Sequence, residues 1–404
     1  MHINIVIILE IMKFNRAYWI FKTFAHKIRK TVVLKIKNSG NKELYILVTI
    51  VKRWKTEKEN LYKLIYGYFE IGGNFSSFIF EHLGEKNPND IIYDISFDVP
   101  KNPSKSCRTN AGFCARFRVI LQALNVADQL NAVPVVNLGT DSAYYDPEMD
   151  NVTRNVFEYY FEPVSEIPYL DVDSCKNVLR CHDQQVNFFE GTWLYEINQS
   201  RIDKLAEIYK KHIRLNKCTD EYIKDNISKC LCGKKTLGVH VRGTDYNIGF
   251  SNHPIAISPN EILESVVELF STGKYEQVFL ATDDVNALNL FKDAFAERLV
   301  FYSDTMRSDD IYGVHIKHID RPLHYYKLGL EVLRDVYTLA SCDGLICGLS
   351  HVSFAARYIK LAKEERFEEI KILDNGINDH NSKFVANERK YMKREKFHDR
   401  HKNP

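Results

Sequence analysis

The sequence predicts an α/β protein built around doubly wound parallel sheets. Five short apolar runs alternate with four helical patterns between Leu237 and Leu373, the signature of such a domain. A second strand–loop–helix–strand unit begins near Asp90, which also implies parallel pairing. The 404 residues suggest two core-bearing domains with some chain left over, at roughly 100–200 residues per domain.

The elements read in order as follows. Residues 1–89 show no clean alternation and are assigned to an N-terminal extension; within it Leu44–Val51 is a strand or a buried helix, since an apolar run alone does not decide. Residues 90–233 form the first domain. Ile91–Phe97 alternates as a strand, Pro100–Gly112 is a polar loop, Ala115–Leu130 carries an apolar helical face, and Val133–Val136 is a short buried strand. Residues 139–198 are irregular and aromatic, and Ile202–Ile213 and Glu221–Cys230 are helical. Residues 234–375 form the second domain. Its strands are Leu237–Val241, Gln277–Ala281, Leu299–Tyr302, Leu345–Cys347 and Ile370–Leu373. Its helices are Pro259–Leu269, Val285–Phe295, Val332–Ala340 and Val352–Leu361. Residues 376–404 are a polar, basic tail.

Composition narrows the function. With 55 basic and 53 acidic residues the net charge is +2, which gives no whole-chain case for nucleic acid. The nine cysteines are scattered and lack paired CxxC spacing, so they read as buried or free thiols rather than a disulfide framework or a metal site. Met1–Ile11 is too short to span a bilayer and has neither the basic start nor the cleavage site of a signal peptide. Residues 13–37 interleave aromatics with lysines and arginines, which suits either a membrane surface or a helix packed on the body of the protein.

Three motifs can carry chemistry. Gly238–Tyr246 (GVHVRGTDY) ends a buried strand in His240 and Arg242 and turns at Gly243 into Thr244 and Asp245. Ligands of open α/β sheets sit beyond the carboxyl ends of strands, and a guanidinium there can grip a phosphate with two hydrogen bonds. An Arg–Asp pair that ties down the loop is the competing reading. Leu280–Asp284 (LATDD) places Asp283 and Asp284 at the same sheet edge, either lining the cleft or capping the next helix. Cys347–Ser353 (CGLSHVS) is a strand-to-helix turn whose free N–H groups and positive dipole end favour phosphate, with Ser350 and Ser353 as added hydroxyls. Plain capping by Ser350 is compatible with that role. Asp335, on the preceding helix, can meet a guanine edge or serve as a cap.

In this order and spacing, HVRGTDY, FLATDD and RDVYTLASCDGLICGLSHVS resemble the GDP-fucose-dependent fucosyltransferases, particularly the α-1,6 and nodulation branch and related bacterial surface-glycan enzymes. The resemblance covers about Asp90 to Leu373. AGFC at Ala111–Cys114, AVPVV at Ala132–Val136 and FEYYFEP at Phe157–Pro163 are similar to the first domain of the bacterial group. It implies the GT-B arrangement, two facing Rossmann-like domains with the reaction between them. It also implies a metal-independent, inverting transfer of L-fucose or a related deoxyhexose from a GDP donor to a glycan hydroxyl. By the resemblance Arg242 holds the β-phosphate, His240 lies against the nucleoside and Asp335 reads guanine. The family's Ser pair meets phosphate; Ser350 matches it, while His351 stands at the second position as a departure, and Gly112 borders the donor from the opposite domain. From the residues themselves, Asp283, His351 and Ser353 are counted with the donor side.

Two departures bear on mechanism. The α-1,6 enzymes carry a second Arg where this chain has Gly243, and a Lys and Glu that Tyr246–Phe250 lacks. Core α-1,6 transfer is therefore not expected, and Asp245 is left as the candidate base. The alternatives are the same fold with another nucleotide sugar, or an inactive glycan- or nucleotide-binding protein. The expected setting is the cytoplasm, with or without peripheral membrane contact through residues 13–37, or the Golgi lumen if the chain is eukaryotic.

Overall fold

The computed structural model describes residues 78–96, 112–140, 142–181, 199–244, 254–309, 313–314 and 319–376. The readings of residues 13–37, Leu44–Val51, most of the Pro100–Gly112 loop, Asp245 and the tail beyond Gly376 lie outside them.

The described chain forms two sheets. The first has the order β1-β4-β2-β3, from β1 (Phe78–Glu81), β2 (Ile92–Ser96), β3 (Val133–Asn137) and β4 (Val178–Cys181). β2 pairs in parallel with β3 and β4, and β1 closes the edge antiparallel to β4. Two of these strands escaped the sequence reading. β1 precedes Asp90, in the stretch assigned to the extension, and β4 sits in the irregular segment. Each is four residues long, too short for alternation to stand out.

Helix α1 (Phe113–Leu130) joins β2 to β3 and ends on Asn131, whose left-handed backbone (φ 50°) suits asparagine. Helices α2 (Gln199–His212) and α3 (Lys217–Leu231) lead to the second sheet; Asn216 caps α3 by accepting from the Thr219 N–H at 2.9 Å.

The second sheet is wholly parallel, in the order β7-β6-β5-β8-β9. Its strands are β5 (Thr236–Val241), β6 (Gln277–Thr282), β7 (Leu299–Val300), β8 (Gly344–Gly348) and β9 (Glu369–Leu373). Its helices are α4 (Pro259–Phe270), α5 (Val285–Phe295), α6 (His324–Ser341) and α7 (His351–Ala362). All six residues of β5 and of β6 are buried, as strands covered on both faces must be, which is why they read as largely apolar runs. Helix α4 starts with a full capping box, Ser258 with Glu261, and with Pro259 in the first turn.

One face of this sheet presents Leu237, Val239, Val241, Leu280 and Ile346 to α4 and α5. The other presents Phe279, Ala281, Leu345 and Cys347 to α6 and α7, and this core runs on without a break into residues of the first sheet. Aromatic rings make the junction: Tyr160 stacks on Tyr326 at 5.5 Å, and the Tyr160 hydroxyl donates to the Tyr326 carbonyl at 2.9 Å.

Helix α6 begins eight residues before the predicted Val332, for a tertiary reason. Its N-cap, Leu323, has left-handed backbone and no side-chain cap. Asp146, far away in the chain, accepts from the Tyr325 and Tyr326 N–H groups at 3.0 and 3.2 Å instead. Gly329, a poor helix former, lets α6 approach the Tyr160 ring, which a Cβ there would overlap.

Candidate functional site

The strand order places the topological switch point between β5 and β8, whose connections leave in opposite directions. In open α/β sheets a ligand crevice opens there, at the carboxyl ends of the strands. His240 and Cys347 are paired residues across these two strands. Alternation along β5 puts His240 and Arg242 on the face that looks toward α6 and α7.

His240 is buried, and its Nδ1 lies 3.2 Å from the Ser350 hydroxyl. Burial, reinforced by the Arg242 charge, pushes its pKa down to about 3, so the ring is neutral at any physiological pH. Arg242 pairs with Asp283 at the end of β6. The same carboxylate accepts from the Gly243 N–H at 2.9 Å and the Thr244 hydroxyl at 3.0 Å. Three successive residues after β5 are thus tied to one side chain. Thr244 has φ 50°, a left-handed backbone that a β-branched residue adopts only when its surroundings impose it.

The sequence reading left the Arg–Asp pair and the ligand role of Arg242 open. The structure supplies a pair, and its carboxylate is Asp283; Asp245 lies outside the described residues. Of the two adjacent acids, Asp284 is the helix cap, accepting from the Asn286 N–H at 2.7 Å, whereas Asp283 organises the Arg242 loop. Gly243 is explained as well. A Cβ there would stand 2.5 Å from the Asp284 Cβ, so no side chain fits where the resembling enzymes carry a second arginine.

Across the crevice, α7 starts at Ser350, whose hydroxyl accepts from the Ser353 N–H at 3.3 Å. Ser353 donates to the Gly348 carbonyl at 3.0 Å, with the Ser350 carbonyl at 3.1 Å, so its one hydrogen is directed into the turn rather than outward. Ser353 thus supports the turn. His351 is the first residue of α7 and half-buried. The start of α7 and the Arg242 loop are thus brought together, joined by the His240–Ser350 contact.

Helix α1 closes another side. Cys114 feels the Arg242 charge, while burial raises its thiol to about 12, so it is an inert wall residue. Gly112 is the N-cap of α1, with open space where a Cβ would stand.

Asp335 is buried on α6, and no hydrogen bond reaches its carboxylate among the described residues. Its neighbour Arg334 is turned away, bound to Asp304 through both terminal nitrogens (2.7 and 3.0 Å) and stacked on Tyr302 at 3.9 Å. Burial raises the Asp335 pKa to about 7, against the opposing pull of Arg334 and Arg307. An unpaired buried carboxyl is costly unless something meets it.

Among the described residues no group of three or more His, Cys, Asp or Glu is arranged to hold a metal ion, and no helix is long and apolar enough to cross a membrane. The fold and site thus define an α/β protein with an anion-suited crevice at the switch point of its second sheet. No family model matches the chain, and no curated protein matches it. Several solved structures are similar. The fucosyltransferase NodZ from Bradyrhizobium shares 17% identity over 68% of this chain and 93% of its own, with a TM-score of 0.39. NodZ α-1,6-fucosyltransferase co-crystallised with GDP shares 16% over 68% and 92%, with a TM-score of 0.38. POFUT1 in complex with GDP shares 14% over 71% and 98%, with a TM-score of 0.39.

One buried charged side chain of α7 escaped the sequence reading. Arg357 lies seven residues after Ser350 on the same helical face, a spacing the sequence displays but that acquires meaning only once the face is known to be buried.

Proposed function

We propose that this chain is a glycosyltransferase of the GT-B kind, with residues 90–233 and 234–375 as its facing domains. It moves L-fucose or a related deoxyhexose, with inversion, from a GDP donor to a glycan hydroxyl. The observation that carries the reading is the meeting, at the switch point, of Arg242, neutral His240 and the N-terminus of α7.

The chemistry follows from that arrangement. As the sugar leaves, negative charge grows on the β-phosphate oxygens. Arg242, held in place by Asp283, and the N–H groups at Ser350 and His351 stabilise charge at that point, a role that Arg242 can fill in place of a metal ion. His240, kept neutral by burial, offers hydrogen bonding to the nucleoside side without adding charge. The Asp335 carboxylate accepts from guanine N1–H and the 2-amino group, which supplies the missing partner of a buried acid. Asp245 takes the proton of the acceptor hydroxyl. Residues 13–37 hold the protein peripherally at an anionic membrane surface, in the cytoplasm or the Golgi lumen.

A thermal-shift screen against GDP, UDP, CDP and ADP tests the donor class. A selective shift with GDP is expected, about 2.7 kcal/mol at a hundredfold excess over Kd. Equal shifts with GDP and UDP refute the guanine assignment. GDP release from GDP-fucose in the presence of a glycan separates an enzyme from a binding protein.

A further inference from the structure

Three cationic side chains are buried among the described residues: Arg334, Arg357 and Lys360. Two have full sets of partners. Arg334 is bound to Asp304 and stacked on Tyr302. Lys360 donates to the Ala340 and Cys342 carbonyls at 3.1 and 2.9 Å, closing the end of α6. Arg357 is different. It is 5% exposed, and among the described residues neither a hydrogen bond nor a carboxylate reaches its guanidinium. Its neighbours are the Phe354 ring, 5.7 Å away one turn earlier on α7, and the Cys347 thiol at the end of β8.

Both neighbours lie toward the start of α7, so the side chain leans back along the helix, as helical side chains do. It leans toward the crevice. Cys347 is the β8 residue paired with His240, and His240 contacts Ser350. An uncompensated buried ion is strongly unfavourable, and a protein keeps one where a counter-ion arrives.

We propose that Arg357 is a second phosphate-binding cation of this crevice, held without a partner inside the protein so that the diphosphate of the donor becomes its counter-ion. The proposal rests on reading the crevice as a nucleoside diphosphate site. It divides the work between two arginines: Arg242 is fixed by Asp283 at the end of β5, and Arg357 approaches from beneath the first turn of α7.

The test uses the full chain with Arg357→Met and Arg357→Lys, melted with and without GDP and guanosine. Methionine keeps much of the stem and removes the charge. The ligand-free melting temperature of the Met variant should equal or exceed the parent's, because an unpaired buried charge is gone. Its Kd for GDP should rise at least tenfold while guanosine binding stays unchanged, and the Lys variant should fall between. A Met variant that binds GDP as the parent does overturns the proposal, as does one that melts well below the parent or fails to fold. A parent that binds no nucleoside diphosphate sinks the donor-site reading itself, and this proposal with it.

Discussion

Asp335→Asn separates what the buried carboxyl costs the fold from what it offers a ligand. The folded pKa of about 7 lies about three units above the ordinary 3.8. Each unit is about 1.4 kcal/mol, so a fully ionised Asp335 weakens the fold by about 4 kcal/mol relative to a neutral one. The sign follows from a raised acid pKa: the folded state holds the proton more tightly than the unfolded chain. Stability is fully present below pH 3.8 and is lost as pH rises through about 7. Asparagine is isosteric and does not titrate, so the variant should gain on the parent by about 3 kcal/mol between pH 5 and pH 8. At roughly 2–4 °C per kcal/mol, that is a relative gain of about 5–10 °C. Melting both proteins across pH 5–9 measures it, with the parent-to-variant difference cancelling the other titrating groups. The variant should also lose the preference for GDP over inosine diphosphate, which lacks the 2-amino group. In the parent, GDP affinity should fall as pH drops below about 7, because the base binds the ionised form. Parallel melting curves refute the burial argument, and an unchanged GDP-to-inosine diphosphate ratio refutes the guanine contact.

Other perturbations probe the frame. Arg242→Lys keeps a cation for Asp283 and loses the planar two-pronged grip, so turnover with GDP-fucose should fall at least tenfold, about 1.4 kcal/mol. Its ligand-free stability should move by no more than about 1 kcal/mol, and a strongly destabilised but active variant would count against a donor role. Gly243→Ala drives a Cβ into Asp284 and displaces the cap of α5; overpacking and cap loss together should cost about 2–4 kcal/mol in urea unfolding. Tyr160→Phe removes the hydroxyl's bond to the Tyr326 carbonyl, which keeps its helical donor, and should cost about 1 kcal/mol in the same assay, whereas no change would mean that the contact does not join the two halves energetically.

The sequence by itself determined the second sheet and which polar residues stand at its edge. A strand buried on both faces, such as β5, is apolar along most of its length, and the polar residues at its carboxyl end mark where the strand meets the crevice. His240 and Arg242 were legible for that reason, as were the turn at Ser350 and a capping role within Asp283–Asp284. Strands β1 and β4 were not, because four residues carry too little pattern and their pairing joins segments about a hundred residues apart. Only the tertiary structure showed that Asp283 holds Arg242, since the two lie about forty residues apart and the parallel pairing of β5 with β6 brings Asp283 alongside. It alone decided the start of α6, whose free N–H groups are met by Asp146 from the other half of the chain. It also decided the meaning of Arg357, because a charged residue on a helix is ordinary until packing removes it from water and gives it no partner. Local pattern records which residues want burial; it does not record which distant group answers a donor or a charge, and that is settled only when the chain is packed.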